Sequence, residues 1–312
     1  MLALLVVNPQ ATATTPGGRD VLAHALASDV KLEVLETSHR GHAAEAAAQA
    51  ARDGFDLVVA HGGDGTVNEV VNGLKSATDA QTPMLGVVPG GSANVFAGAL
   101  GLPRDPVEAT HVLLRAIETG GSRTIGLGSV GFGGARTGDT RHWFTFNAGI
   151  GWDAEVVAAV DRRRSKEASP ALYLRTAVTQ YVRQLRGGPE LTVELEGEQP
   201  VTGVRLAFVC NTDPWTYLGD KPLHLIPGCS FDTGLGLFAL SGLAPGTIAR
   251  HAGQMLRGAN HPKGRHLLFR DDEPHIRVTS AKPVRVQVDG DLLGEQNEVD
   301  FVSVPAALRV AL

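Results

Sequence analysis

Three short stretches hold residues whose types and spacing could do chemistry. The first, Gly62-Gly63-Asp64-Gly65-Thr66, follows the apolar run Leu57–Ala60 and precedes a helical pattern that begins near Thr66 and carries Asn68, Glu69 and Asn72. Glycines at a strand end let the main chain come close to a phosphate, and exposed N–H groups at a helix start complement its charge. A carboxylate in such a cradle repels phosphate unless a cation intervenes, so Asp64 makes physical sense as a Mg²⁺ contact or as a base for an attacking hydroxyl. A tight turn with Asp64 as helix N-cap explains the same letters. The second stretch, Val87-Val-Pro-Gly-Gly-Ser-Ala-Asn94, also lies between an apolar strand and a helical pattern, which would set two phosphate-type turns side by side at one sheet edge. Ser92 and Asn94 can donate to a phosphate or a ribose, or cap the next helix. The third, Val284-Arg-Val-Gln-Val-Asp289-Gly290-Asp291, puts two acids on a turn that closes an alternating strand. Asp-Gly is a common hairpin turn, yet moving a phosphoryl group to an alcohol requires a carboxylate that orients the hydroxyl or accepts its proton.

The elements that must position these residues fall into two rhythms. Over the first 120 or so residues, apolar runs at Leu2–Val7, Leu32–Leu35, Leu57–Ala60 and Met84–Val88 alternate with helical segments such as Ala43–Arg52. Apolar runs separated by helices predict a parallel sheet buried on both faces, an α/β domain over residues 1–124. In such sheets ligands sit at the carboxyl ends of the strands, where the Gly-rich turns and Asn8-Pro9-Gln10 and Thr37-Ser38 would converge. From Ile125 the pattern becomes β-like, at Ile125–Val130, His142–Ala148, Leu191–Leu195, Val204–Cys210, Leu235–Leu240, His275–Thr279 and Val284–Val288. Helical stretches interrupt it at Trp152–Arg164, Ala171–Leu185 and Pro245–Leu256. A mainly antiparallel β domain with a few helices is expected over 125–312, its last residues returning to the first domain. The Gly/Ser/Thr stretch Gly128–Thr140 reads as a hairpin turn or loop.

Composition narrows the function. The 312 residues are 43% apolar and 20% charged, which is a folded globule rather than a disordered or fibrous chain. Twenty-eight basic against 33 acidic side chains leave a net charge of −5, which gives no support to a nucleic-acid partner. Cys210 and Cys229 show no zinc-type spacing and are too few for a disulfide framework, so a reducing cytoplasm is expected. Met1–Val7 lacks a basic leader and reads as a first strand, and no apolar stretch is long enough to span a bilayer. A P-loop is absent, and Gly126-Leu-Gly128-Ser-Val-Gly131 matches a dinucleotide fingerprint in letters but is followed by a polar loop instead of a helix.

Together these residues resemble the diacylglycerol kinase catalytic-domain family, which includes bacterial lipid kinases and the sphingosine and ceramide kinases. The likeness runs from Asn8-Pro9 through Gly62-Gly-Asp-Gly-Thr-Val-Asn-Glu-Val-Val-Asn-Gly73, Pro89-Gly-Gly-Ser-Ala-Asn94 and Phe146-Asn-Ala-Gly-Ile-Gly-Trp-Asp-Ala-Glu155 to Asp289-Gly-Asp291. It implies an ATP-dependent kinase of a membrane lipid, diacylglycerol first, that uses Mg²⁺ and works in the cytoplasm with peripheral contact at the inner membrane face. By motif position, Asn8, Pro9, Gln10, Ala11, Thr12, Thr37, Gly62, Gly63, Asp64, Gly65, Thr66, Val67, Asn68 and Ser92 resemble nucleotide-binding residues, with Asp64 reaching Mg²⁺ through the nucleotide. The family's late Asp-Gly-Glu turn supplies its proton acceptor, and the third position here is Asp291, with Asp289 as the first, so either acid is a candidate. Some members hold a structural Mg²⁺ at Asp-Asp-Gly-Leu, where this chain reads Asp232-Thr233-Gly234-Leu235. Arg162-Arg163-Arg164 could meet anionic headgroups, or form a solvated helix face. A soluble or sphingoid acceptor, or a catalytically decayed nucleotide or lipid sensor without turnover, are the alternatives.

Overall fold

The structure, a computed structural model, describes residues 1–77, 82–133, 141–161, 175–176, 179–181, 187–219, 221–258 and 261–312. The chain divides into two compact units. One comprises Met1–Leu127, Tyr217–Asp220 and Pro305–Leu312, and the other Gly128–Thr216 and Lys221–Val304.

The first unit has the expected α/β architecture. Strands β1 (Leu2–Val7), β2 (Lys31–Glu36), β3 (Leu57–Gly62) and β4 (Met84–Pro89) are all parallel, in the spatial order β4-β3-β1-β2. Helices α1 (Pro16–Ala27), α2 (His42–Arg52), α3 (Asp64–Ser76), α4 (Val95–Ala99) and α5 (Pro106–Thr119) connect them. Strands β3 and β4 are buried at every position, as continuous apolar runs require. The Leu32–Leu35 run is different from its expectation: among the described residues β2 pairs with β1 alone and lies at the sheet edge, with Glu33, Val34 and Glu36 exposed. The core of this unit joins Ala3, Leu5 and Val7 to Leu22, Leu26, Leu57, Val59 and Leu113. The end of the chain completes it, for Val310 pairs with Leu85 in parallel and the Ala311 amide donates to Leu85 O.

In the second unit a largely antiparallel sheet runs through β5 (Arg123–Phe132), β6 (His142–Phe144), β7 (Asn147–Gly151), β8 (Leu191–Leu195), β9 (Val201–Val204), β10 (Leu206–Cys210), β13 (Leu235–Leu240), β14 (Leu267–Glu273), β15 (His275–Val288) and β16 (Asp291–Val310), while β11 (Thr216–Leu218) and β12 (Lys221–Leu223) form a separate two-stranded sheet. At their ends β5, β11 and β16 carry the chain into the first unit. Strand β10 lies between β7 and β13, and β15 pairs with β7, β8 and β16. Helix α6 (Trp152–Asp161) packs on this sheet, and α7 (Pro245–Leu256) begins with proline in its first turn as expected.

Four details depart from the sequence reading. His142–Ala148 is two strands, interrupted at Thr145-Phe146. The two short runs at 275–279 and 284–288 are one strand whose register shifts between Thr279 and Val284. Gly128–Phe132 lies inside β5, together with the rejected Gly126–Gly131 fingerprint. Strands β14 and β16 have no counterpart among the expected elements, because their polar alternation hides them. The arginine run 162–164, residues 134–140, Tyr173 and most of Ala171–Leu185 lie outside the described residues.

Candidate functional site

In the first unit the turns that follow β1, β2, β3 and β4 are stitched to one another by main-chain bonds. Asn8 N donates to His61 O at 3.0 Å, Thr37 N to Val7 O at 2.8 Å, Ala13 N to Gly90 O at 2.8 Å, and Gly90 N to Gly62 O at 2.7 Å. Asn8 closes its own loop by accepting the Gln10 amide at 2.9 Å and reaches the start of α3 by donating to Thr66 Oγ1 at 3.1 Å. Asn8, Pro9, Gln10, Ala11, Thr12, Thr37, Gly62–Asn68 and Ser92 thus belong to one end of one sheet. Pro9, Gln10, Thr12, Gly65 and Ser92 are exposed there.

The glycines have a physical reason that the sequence does not display. A Cβ on Gly91 would stand 2.5 Å from Gly63 Cα, and one on Gly90 would stand 3.1 Å from Gly62 Cα. The two Gly-Gly turns are therefore pressed main chain to main chain, and each needs the other's lack of a side chain. Gly65 is different: nothing lies within 4 Å of a Cβ placed on it, so its space is open for a ligand.

Asp64 is the first residue of α3, after Gly63 as N-cap. Its Oδ1 accepts the Phe96 amide at 3.1 Å, at the start of α4, so the carboxylate caps a neighbouring helix. Asn94, left-handed at φ 51°, locks the second turn by accepting from Gly91 N at 2.9 Å and donating to Gly91 O at 2.7 Å. Other members of the long motif support the loop from behind. Thr66 N and Val67 N donate to Gly63 O, and the Val67 side chain is buried. Asn68, 2% exposed, accepts from Asn72 Nδ2 within α3. Glu69 accepts the Gly41 and Ala43 amides and so caps the start of α2, and Gly73 lets α2 cross α3 with Ala44 O against its Cα. Arg104, missed by the sequence reading, donates to Ala93 O behind the second turn and to Gly219 O, and its guanidinium lies 4.7 Å from the Tyr217 ring centroid. Tyr217 belongs to the first unit.

The second unit carries the late acids. Val288 pairs with Asp291 across the two-residue turn Asp289-Gly290, whose φ values of 47° and 86° are both left-handed, as a type I′ hairpin demands. Asp289 is buried, and its carboxylate accepts four bonds: Thr145 N at 2.6 Å and Thr145 Oγ1 at 2.7 Å on Oδ2, Phe146 N and Asn147 N at 3.0 Å on Oδ1. These bonds take the amides of Thr145 and Phe146 out of the sheet ladder, which is why β6 and β7 are separate strands. Burial pushes the Asp289 carboxyl up, and the four bonds oppose that shift. Asp291 is only partly buried. Beside it, His142 is held below the usual imidazole range by burial, with the Asp291 charge pulling the other way. Its buried Nε2 has no hydrogen-bond partner among the described residues.

Asp232 is exposed on the turn before β13. No group of three or more His, Cys, Asp or Glu side chains able to hold a metal ion occurs among the described residues. Burial raises both thiols, Cys229 to about 12 and Cys210 well above its ordinary value, so both stay protonated and unreactive. Trp152, Tyr181 and Trp215 pack against the core around Phe208, Cys210 and Phe238. No helix among the described residues is long and apolar enough to cross a membrane.

Against known proteins, a family model described as the diacylglycerol kinase catalytic domain matches residues 2–130. A diacylglycerol kinase of Bacillus subtilis (strain 168) is 30% identical over 290 residues, covering 88% of this chain and 84% of that protein. A probable lipid kinase, YegS-like, of Chromohalobacter salexigens is 38% identical over 143 residues, 44% of this chain and 46% of that one. Among solved structures, a diacylglycerol kinase from Bacillus anthracis str. Sterne has a TM-score of 0.70 at 20% identity, over 99% of this chain and 96% of that one. An NAD kinase from Archaeoglobus fulgidus in complex with ATP has a TM-score of 0.53 at 15% identity, over 100% and 94%. These two likenesses bear on the fold alone.

Proposed function

We infer the reaction from a premise now in hand: this chain belongs to the diacylglycerol kinase catalytic-domain family, a family of lipid kinases, and we propose that it moves the γ-phosphoryl group of ATP to the hydroxyl of a membrane lipid, with diacylglycerol as the first acceptor to test. The observation that carries the reading is the pair of interlocked Gly-Gly turns with the start of α3 beside them and open space at Gly65. Amide groups at a helix start favour a phosphate, by the helix dipole and by direct donation.

In this reading the turns after β1, β3 and β4 hold the phosphates, Thr37 and Ser92 complete the nucleotide contacts, and Asp64 together with the phosphate oxygens would hold Mg²⁺. A hard cation suits an all-oxygen set of one carboxylate and phosphates, and when bound it neutralises charge on the transferring group. Asp291 is the general base. Its partly buried carboxylate takes the acceptor hydroxyl proton as that oxygen bonds to the γ-phosphorus and the bond to the β-phosphate bridging oxygen breaks, leaving ADP. Asp289, with both oxygens committed to Thr145, Phe146 and Asn147, shapes the turn and takes no proton.

The protein works in the cytoplasm at a membrane surface, where such an acceptor is found. Purified protein given labelled ATP, Mg²⁺ and vesicles containing diacylglycerol, a sphingoid base or ceramide should yield a labelled lipid that depends on the vesicles. A labelled product from soluble acceptors alone would move the acceptor out of the membrane, and ATP binding with no labelled product anywhere would make the chain a sensor.

A further inference from the structure

We propose that Gln287, oriented by Asp153, is a positioning residue that aims Asp291 by fixing the second amide of the Asp289-Gly290 turn. The inference rests on the assignment of Asp291 as the base.

A two-residue hairpin turn of this type forms through the φ values of its central residues and the bond between its flanking strands, and its two central amides are ordinarily left to solvent. Here both are taken. Asp289 N donates to Asn147 O on β7 at 2.8 Å, and Gly290 N donates to Gln287 Oε1 at 2.9 Å. Gly290 N–H can only donate, so it fixes which end of the Gln287 carboxamide faces the turn. The amide nitrogen then points the other way, donating to Asp153 Oδ2 at 2.7 Å and to Asn147 Oδ1 at 3.1 Å. Every polar atom of a side chain that is 2% exposed in a β-strand is thereby used, which is what its burial requires.

Asp153 stands in the first turn of α6, with its carboxylate against Gly149, where any side chain would strike Oδ2. The strands packed against α6 bring few other ionisable groups near it. Strand β15 contributes Arg285, which is paired with Glu155, and β10 contributes the protonated Cys210. Asp153 thus acts on the turn through Gln287 alone. Pinning at Asn147 and at Gln287 leaves the residue that follows, Asp291, with a fixed origin, and a base displaced by about 1 Å can lose about a hundredfold in rate.

Two readouts test this, one of them independent of any substrate. In the unaltered protein the Gly290 amide should exchange with solvent far more slowly than an open turn amide, and in Gln287→Leu its protection should be lost while the core of β15 stays protected. In steady-state assays with ATP and diacylglycerol vesicles, Gln287→Leu should lower kcat roughly 10- to 100-fold with KM for ATP nearly unchanged. Asp153→Asn, whose amide oxygen still accepts from Gln287, should keep kcat within about threefold, whereas Asp153→Ala should show the loss. The alanine variant also serves if Gln287→Leu does not fold. An unprotected Gly290 amide in the unaltered protein, or folded Asp153→Ala and Gln287→Leu proteins with full kcat, overturns the inference. Failure of the premise is read separately, by full activity in Asp291→Asn.

Discussion

Two aspartates two residues apart have opposite physical situations. Asp289 accepts three main-chain amides and one hydroxyl, and hydrogen bonds to a charged group contribute about 1.5–3 kcal/mol each, though not additively. Asp289→Ala should therefore cost about 3–5 kcal/mol of stability in denaturant titrations, with the damage centred on the turn between β6 and β7. A loss of activity without any loss of stability would reverse its role. Asp153 gives a pH signature. Burial lifts its carboxyl from 3.8 to about 6, so the folded state prefers the neutral form. Stability from this group is complete below about pH 4 and is lost as pH rises to about 6, by on the order of 2–3 kcal/mol. Melting curves of the unaltered protein and Asp153→Asn should diverge between pH 4 and 6 and run parallel above it; parallel curves throughout would mean an ordinary carboxyl. The role of Asp289 was not legible in the sequence, where either acid could serve as base, because main-chain donors leave no letters. Gln287 was missed for a related reason: a polar residue alternating in a strand looks exposed until the strand is seen to lie beneath α6.

At the scale of elements, the glycines separate into two kinds. Gly91→Ala would drive a methyl group into the Gly63 main chain, and backbone yields less readily than a side-chain tip, so a loss of about 1–3 kcal/mol is expected together with weakened ATP binding. Gly65→Ala meets open space in the first turn of a helix, where alanine is preferred, so stability should hold or rise by up to about 1 kcal/mol while ATP affinity falls. Equal destabilisation by the two substitutions, followed by thermal unfolding, would refute the distinction. The same elements show what the sequence conveyed. Strands β1, β3 and β4 were legible because buried parallel strands read as unbroken apolar runs, and both Gly-rich turns follow from those runs. Within the long motif, Glu69 caps α2 and Gly73 admits it, roles that main-chain partners leave unwritten in the sequence. Strands β14 and β16 were not legible, since Arg270, Asp271, Asp272, Glu295 and Glu298 interrupt any apolar pattern.

For the molecule as a whole, the notable fact is that the first unit is finished by the end of the chain. Leu308, Val310 and Ala311 are buried there, Lys75 Nζ donates to Ala307 O at 3.0 Å, and the Ala311 amide reaches Leu85 O. Residues more than 200 positions apart must meet before this sheet is complete, a non-local closure that slows folding. Removing Pro305–Leu312 should lower the exchange protection of β4 and α3 and weaken ATP binding, while β10 and β13 in the second unit keep theirs; unaltered protection of β4 would show that the return is dispensable. The net charge of −5 sets no general attraction to anionic lipid, so vesicle dependence of the reaction rests on the acceptor and not on overall charge. The most direct test of the account is the turnover of Asp291→Asn with saturating ATP and diacylglycerol vesicles. The account requires a folded protein with unaltered ATP affinity and kcat lowered by about 10²- to 10⁴-fold, and a variant that phosphorylates lipid at the unaltered rate would contradict it.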